Sequence, residues 1–399
     1  MKRYYNPKVY IYELIFVLYF WGFVLLRPIL QYFQSYSTLI LSLYTFTLLI
    51  FFVSYIIAKK NIKLGESVFF ILTFFIIFFF DSIIRYNAYS FKYLYKFIYC
   101  GILPVLFLSK IKNIEKLIYY YVFFSLLAFI LLGGDPIHGF RIFSDYMDYG
   151  FNLGLPVFIG LFLGYKYFKF KWMIFFLILN FLSILIYSNK SSLLTVIVFV
   201  FIYYLFIDPI SKKRIVKLII PISIILLLIY INIKSIALFI YDVFVVKLNV
   251  NSYSLITIKN YFLTKSDRVL FSGRIEIWNK AKVMISENLL FGHGIGSFQD
   301  RYGFYSHNII LDLLLFFGIV GFVTFLILIF YSLYKILKYN GLVRLLGGFL
   351  FSLWFPKLFF STYFIADVGF WCFLSFPFIC KYFENYENID NVKTLNRSS

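Results

Sequence analysis

Cysteine, histidine and acidic side chains are scarce in this chain of 399 residues, at three, three and 18, and each scarcity removes a class of function. Cys100, Cys372 and Cys380 all lie inside apolar stretches, with no CxxC spacing and no paired framework, so neither a disulfide scaffold nor a zinc site is expected from them. They read as packing residues. Asp135, Asp145, Asp148, Asp242, Asp267, Glu276, Glu287 and Asp300 are scattered, and no DxD pair carries metal-ligand spacing. No metal and no cofactor are expected. A GxSxG nucleophile elbow and a P-loop lysine motif are also missing, which argues against hydrolase and ATPase classes.

What the chain has in abundance is apolar surface. With 62% hydrophobic and only 14% charged residues it lies far outside the range of a soluble globular domain. Apolar runs, each long enough to cross a hydrocarbon layer as a helix, recur near 10–26, 38–58, 66–84, 92–108, 115–132, 149–165, 171–187, 191–207, 215–233, 308–330, 345–360 and 364–380. The expected fold is therefore an all-α polytopic membrane protein of about 12 transmembrane helices, one integral domain over 1–399. The first run follows Lys2, Arg3 and Lys8 and passes Trp21 without a small-residue cleavage site, so it reads as a retained helix.

Basic residues outnumber acidic ones by 38 to 18, giving a formal charge of +20. They sit in small groups between apolar runs rather than on one polar domain, which argues for membrane topology and against nucleic acid. Lys2, Arg3 and Lys8, then "AKKNIK", "SKIKNIEK", "YKYFKFK", "SKKRIVK", "YKILKYNGLVR" and the tail all fall on one side of a twelve-span count. Both termini are thus expected in the cytoplasm. The other side holds Arg27, Arg85 with Lys92, Arg141, Lys190, all three histidines (His138, His293 and His307), and the large polar segment 234–307 between spans nine and ten. That segment keeps nine basic residues against the usual bias, which suggests an anionic ligand on the outer face.

Three strings in and beside this segment carry the chemistry. "SGRIEIWNKAKVMI", from Ser272, predicts an interfacial helix with Ser272 as N-cap, a Glu276–Lys280 pair, and Ile275, Trp278, Ala281 and Ile285 on one face. Arg274 at its start either grips an anionic ligand or anchors the helix to lipid headgroups. In "FGHGIGSF", Gly292, Gly294 and Gly296 alternate, which lets the backbone turn sharply or approach another group closely. His293 inside that turn reads as structural, and the spacing is not a dinucleotide fingerprint. In "YSHNIILDLLLFFGIVGF", His307 and Asn308 stand where water-exposed chain becomes membrane helix. There His307 is either a helix cap or a proton acceptor for a lipid-linked substrate.

The succession "GRIEIWNKA", "LLFGHGIGSF" and "SHNIILDLLLFFGIVG" resembles the bacterial O-antigen ligase and Wzy-type O-antigen polymerase superfamily over about fifty residues. "GFRIFSDYMDYGFNLGLP" resembles that family's arginine-containing segment and points to Arg141. "YSNKSSLL" resembles its "SRG"-like turn, with Lys190 where the family usually has arginine, so the charge is kept and the planar fork lost. The resemblance implies a bacterial inner-membrane glycosyltransferase that moves an oligosaccharide from undecaprenyl diphosphate to an acceptor sugar hydroxyl on the outer face. Arg274, Lys190 and Arg141 would stabilise the leaving diphosphate without a metal. His307 would take the hydroxyl proton, in an inverting displacement supported by Trp278, Asn308 and the three glycines. A polymerase, whose acceptor is a second lipid-linked repeat and which could work with a chain-length regulator, is favoured over a ligase that delivers to lipid A core. A flippase ranks below both, since no repeated halves are visible and the polar residues gather in one outer segment.

The alternation of basic and basic-poor loops predicts that a reporter active only in the cytoplasm gives signal when fused after Lys213 and none after Lys259. The opposite pattern would overturn the assignment of sides.

Overall fold

The computed structural model describes residues 10–59, 65–87, 89–133, 146–187, 190–204, 233–250, 252–264 and 274–380. Among the described residues all regular structure is helical, with no strand. Among the described residues seven helices are long and apolar enough to cross a bilayer: Ile11–Tyr32, Gln34–Ala58, Glu66–Ile84, Ser90–Leu108, Ile114–Gly133, Ile309–Lys338 and Gly341–Phe360. Met173–Tyr187, Ser191–Ile202 and Val368–Ile379 are shorter apolar helices. The chain is an all-α, multi-pass membrane protein. Residues 215–232 of the ninth expected span lie outside the described residues, as do Ser272, His138 and Arg141.

We label the helices α1 (Ile11–Leu25), α2 (Ser37–Ala58), α3 (Glu66–Ile84), α4 (Ser90–Leu108), α5 (Ile114–Gly133), α6 (Leu155–Lys166), α7 (Met173–Tyr187) and α8 (Lys190–Ile202). The segment 234–307 is itself largely helical where described, with α9 (Ile233–Tyr241), α10 (Tyr253–Thr264), α11 (Arg274–Glu287) and the short α12 (Ser297–Tyr302). Then come α13 (Ile309–Lys338), α14 (Gly341–Phe360) and α15 (Val368–Ile379). Helix α15 is apolar on every side, which suits a helix surrounded by others. Its Phe370, Trp371, Cys372 and Phe373 are wholly buried, and it packs against α3, α4, α13 and α14. The expected start of this span at 364 moves to 368, because Phe364–Ala366 forms a 3₁₀ turn and Asp367 caps the helix by accepting from the Phe370 N–H at 2.8 Å. By contrast α2 exposes Leu39, Leu43, Phe46, Ile50 and Ile57, a face suited to lipid.

The feature that positions the site is a break in α13. Gly318 has φ +63° and ψ −163°, which no helix accommodates, so the helix is interrupted in the middle of an apolar span. In hydrocarbon, backbone groups freed by a break must find partners within the protein. The glycine loop supplies them. His293 N–H donates to the Leu315 carbonyl at 2.7 Å and Gly294 N–H to Phe316 at 3.0 Å, while Ile319 N–H donates to Leu289 at 2.9 Å and Val320 N–H to Leu290 at 3.3 Å. Four helix groups are thus paired by residues 289–294.

So close an approach needs glycine on both chains. Gly292 has φ +64°, and a Cβ there would lie 2.6 Å from the backbone nitrogens of Phe317 and Gly318; a Cβ on Gly318 would meet the Leu290 carbonyl. The loop is also clasped from α3. Arg85 donates to the Gly292 carbonyl at 2.6 Å, Asp81 accepts from Ile295 N–H at 2.8 Å, and Asn87 donates to the Ile295 carbonyl at 2.8 Å. His293 holds the Met284 carbonyl through Nε2 at 2.7 Å, a structural contact to the end of α11.

Gly303 provides the control for a substitution test, since it too has positive φ, +80°, but nothing lies within 4 Å of its virtual Cβ. Gly303→Ala should cost only the backbone penalty of about 1–2 kcal/mol. Gly292→Ala adds a collision with main chain and should lower the yield of folded, detergent-stable protein several-fold further in a thermal-shift and size-exclusion comparison. Equal behaviour of the two variants would refute the inserted-loop account.

Candidate functional site

Helix α11 delivers Arg274. Its inward stripe runs Arg274, Trp278, Ala281 and Ile285, at spacings of four, three and four residues, with Ile277 and Met284 beside it. Ala281, Met284 and Ile285 are buried, Arg274 and Trp278 half-buried. Ile275, expected on this face, is exposed instead, because the helical repeat puts Arg274 rather than its neighbour above Trp278. Lys280, expected to pair with Glu276, lies over the rings of Tyr302 and Phe304 at 5.4 and 5.3 Å from their centroids. The Trp278 indole N–H donates to the Ser306 carbonyl at 3.1 Å and so joins α11 to the residue before His307.

The chain from Ser306 to Asp312 shows which residue caps α13. Asn308 is the cap: its Oδ1 accepts from the N–H groups of Ile310 at 2.9 Å and Leu311 at 3.3 Å, and its Nδ2 donates to the Phe359 carbonyl at 3.3 Å. The Ser306 hydroxyl donates to Asp312 at 2.6 Å. His307 makes none of the cap bonds. It stands at φ +58°, in the left-handed region, which turns its ring away from the helix axis and toward α14.

There the ring is held on two sides. Nδ1 lies 3.3 Å from the Ser361 carbonyl, and the imidazole packs against Tyr305 with ring centroids 4.1 Å apart. A carbonyl oxygen can only accept, so Nδ1 carries the proton and the neutral ring presents Nε2 as an acceptor. Burial pushes the His307 pKa down to about 4; the Arg274 guanidinium adds to that depression and the bond to Ser361 opposes it. At neutral pH the imidazole is therefore an uncharged base.

Ser361 is the junction of the site. Its carbonyl also accepts from the Tyr305 hydroxyl at 3.3 Å, and its own hydroxyl donates to Ser191 at 3.1 Å. Ser191 follows Lys190, the first residue of α8, so the backbone of Lys190 lies one residue from a direct contact of the His307 partner. Of the residues singled out in the sequence, His307, Arg274, Trp278 and Asn308 and the start of α8 come together here. Gly292, Gly294 and Gly296 lie behind them at the helix break.

Three participants were missed in the sequence. Ser361 and Tyr305 carry no signal, since serine and tyrosine are common throughout. Asp312 did carry one: an acid inside an apolar span is costly unless it is used, and this side chain is buried, with Oδ1 taken by Ser306 and Oδ2 without a hydrogen-bond partner among the described residues. Among the described residues no three His, Cys, Asp or Glu side chains come together as a metal site.

A multi-pass helical membrane protein with a half-buried neutral histidine and an arginine at the mouth of a broken helix suits a transferase acting on a membrane-anchored anionic substrate. The comparison with known families narrows this class. Residues 174–326 match the family model described as O-antigen ligase, so the resemblance to the O-antigen ligase and polymerase superfamily holds from α7 through the break in α13. Neither a curated protein nor a solved structure matches the chain. The matched stretch contains Lys190, Arg274, the glycine loop and His307, and it points to a glycosyltransferase-like function of the O-antigen ligase and polymerase kind.

The depressed His307 pKa can be measured. With ring-labelled histidine, the His307 NMR signals should titrate near pH 4, and Arg274→Gln should move the midpoint upward, toward the ordinary histidine value. The unfolded chain binds a proton below about 6.5 that the folded site refuses, so this group lowers stability as pH falls from there toward 4. A midpoint near 6.5 in the unaltered protein would contradict the half-buried, arginine-facing placement.

Proposed function

We propose that the protein is a polysaccharide polymerase that transfers an undecaprenyl-diphosphate-linked oligosaccharide to the hydroxyl of an acceptor glycan on the outer face of a bacterial inner membrane. The observation that carries this reading is His307, held by Ser361 as an uncharged base beside Arg274. In the reaction, an acceptor oxygen forms a bond to the anomeric carbon while the bond from that carbon to the diphosphate oxygen breaks. His307 Nε2 takes the hydroxyl proton, and undecaprenyl diphosphate departs carrying the electron pair. A single displacement of this kind inverts the anomeric centre.

The leaving group develops negative charge, and cations fixed near it lower the barrier. Arg274 is assigned this role, with Lys190 at the start of α8 and Arg141 as further diphosphate ligands. Trp278, Asn308 and the three glycines act by position: Trp278 and Asn308 fix the residues on either side of His307, and Gly292, Gly294 and Gly296 shape the loop that pairs with α13. No metal is required. Delivery of the glycan to lipid A core is the second reading, favoured by the description of the matched family as O-antigen ligase.

Purified enzyme, undecaprenyl-diphosphate oligosaccharide and a chelator make the test. His307→Asn should accumulate normally in the membrane yet transfer at least about a hundredfold more slowly, the scale of lost general-base help. His293→Asn should have the lesser effect on transfer. Arg274→Ala should abolish product without loss of protein, while Lys190→Arg should be tolerated. Near-normal turnover by His307→Asn would sink the base assignment, and a requirement for added divalent cation would refute the metal-free scheme.

A further inference from the structure

A cavity of about 500 Å³ opens beside the site, among the ends of α1, α2, α4, α14 and α15. Its size is that of a small-ligand pocket. Its walls combine aromatic rings, among them Tyr19, Tyr95, Tyr99 and Phe151, with three cations, Arg27, Lys96 and Lys357. Two of these have carboxylate partners: Arg27 pairs with Asp148, and Lys357 Nζ lies 2.9 Å from Asp367 Oδ2. Lys96 has none among the described residues. Its ammonium, half-buried, meets only the hydroxyl and ring of Tyr363.

Lys96 lies in the apolar span Ser90–Leu108, where an ionisable side chain without a counter-ion is costly and marks a candidate binding site. Two packed tyrosines separate Lys96 from His307. Tyr363, itself buried, touches Lys96, the Tyr363 and Tyr305 rings lie 5.2 Å apart, and Tyr305 packs on His307 at 4.1 Å. The cavity therefore lies within the length of a short glycan of the base, across the two tyrosines. No residue of α8 or α11 lines the cavity, so it is separate from the diphosphate position assigned to the donor.

We propose that the cavity holds the diphosphate of a second polyprenyl-diphosphate-linked glycan, the acceptor, with Lys96 as its principal ligand and Arg27 and Lys357 beside it. This rests on the transferase reading and deepens it, since two lipid diphosphates at once are what a polymerase needs. The glycan would extend past Tyr363 and Tyr305 to place its terminal hydroxyl at His307 Nε2.

The experiment separates donor from acceptor chemically. A substrate whose terminal hydroxyl is blocked can only donate, and one in which a methylene replaces the anomeric oxygen can only accept. With this pair, in phosphatidylcholine nanodiscs, Lys96→Gln should raise the KM for the acceptor-only substrate about tenfold or more, the scale of one charge-assisted contact. The KM for the donor-only substrate should stay as it was, and Lys96→Arg should restore most of the loss. Unchanged acceptor KM, or a rise in donor KM alone, overturns the proposal.

A binding arm uses undecaprenyl diphosphate without sugar as probe. Two molecules should bind each unaltered chain and one the Lys96→Gln chain. If phosphatidylglycerol in the nanodisc displaces the second probe, the cavity is a general phospholipid headgroup site and the proposal falls. If the second probe depends on Lys96 while the unaltered enzyme transfers nothing, the binding site stands and the transferase reading fails by itself.

Discussion

The arrangement of the candidate site depends on how the break at Gly318 is satisfied. A helix interrupted within hydrocarbon leaves carbonyl and N–H groups that water cannot reach, and each unpaired group costs several kcal/mol. Here residues 289–294 close the gap with four main-chain hydrogen bonds. That docking fixes the end of α11 against the middle of α13. Because α11 begins with Arg274 and α13 is preceded by His307, the same bonds set how the arginine and the histidine face each other. The Asp81, Arg85 and Asn87 clasp then joins this unit to α3.

Within that frame the site divides its labour between adjacent residues. Asn308 caps the helix, which leaves the imidazole of His307 without a structural bond at Nε2. Ser361 fixes the tautomer from a different helix and, through Ser191, links the histidine to the start of α8. Arg274 and burial together keep the ring uncharged. An imidazolium beside a guanidinium would be repelled, so the ring stays neutral there. A diphosphate bound at Arg274 would relieve part of that depression and make the base stronger when substrate is present.

The packed rings of Tyr305 and Tyr363 connect the site to a second region. They lead from the base to Lys96, whose ammonium no carboxylate among the described residues balances.

The sequence by itself determined that the chain is a membrane protein of stacked apolar helices, because runs near twenty residues long admit no other solvent. It determined that its polar chemistry gathers between 272 and 308, and the "GRIEIWNKA", "FGHGIGSF" and "YSHNIILD" strings were enough to name the family resemblance and single out Arg274 and His307. The helical repeat even contained the inward placement of Arg274, although Ile275 looked the more natural candidate for a buried stripe. Only the tertiary structure decided which of His307 and Asn308 caps α13, why Gly292 must be glycine, and that Ser361, Tyr305 and Lys96 belong to the same region. These relations join residues scores of positions apart through single hydrogen bonds or ring contacts. Local pattern reports periodicity and polarity along the chain, but the partner of a carbonyl or an ammonium is fixed only when distant helices pack.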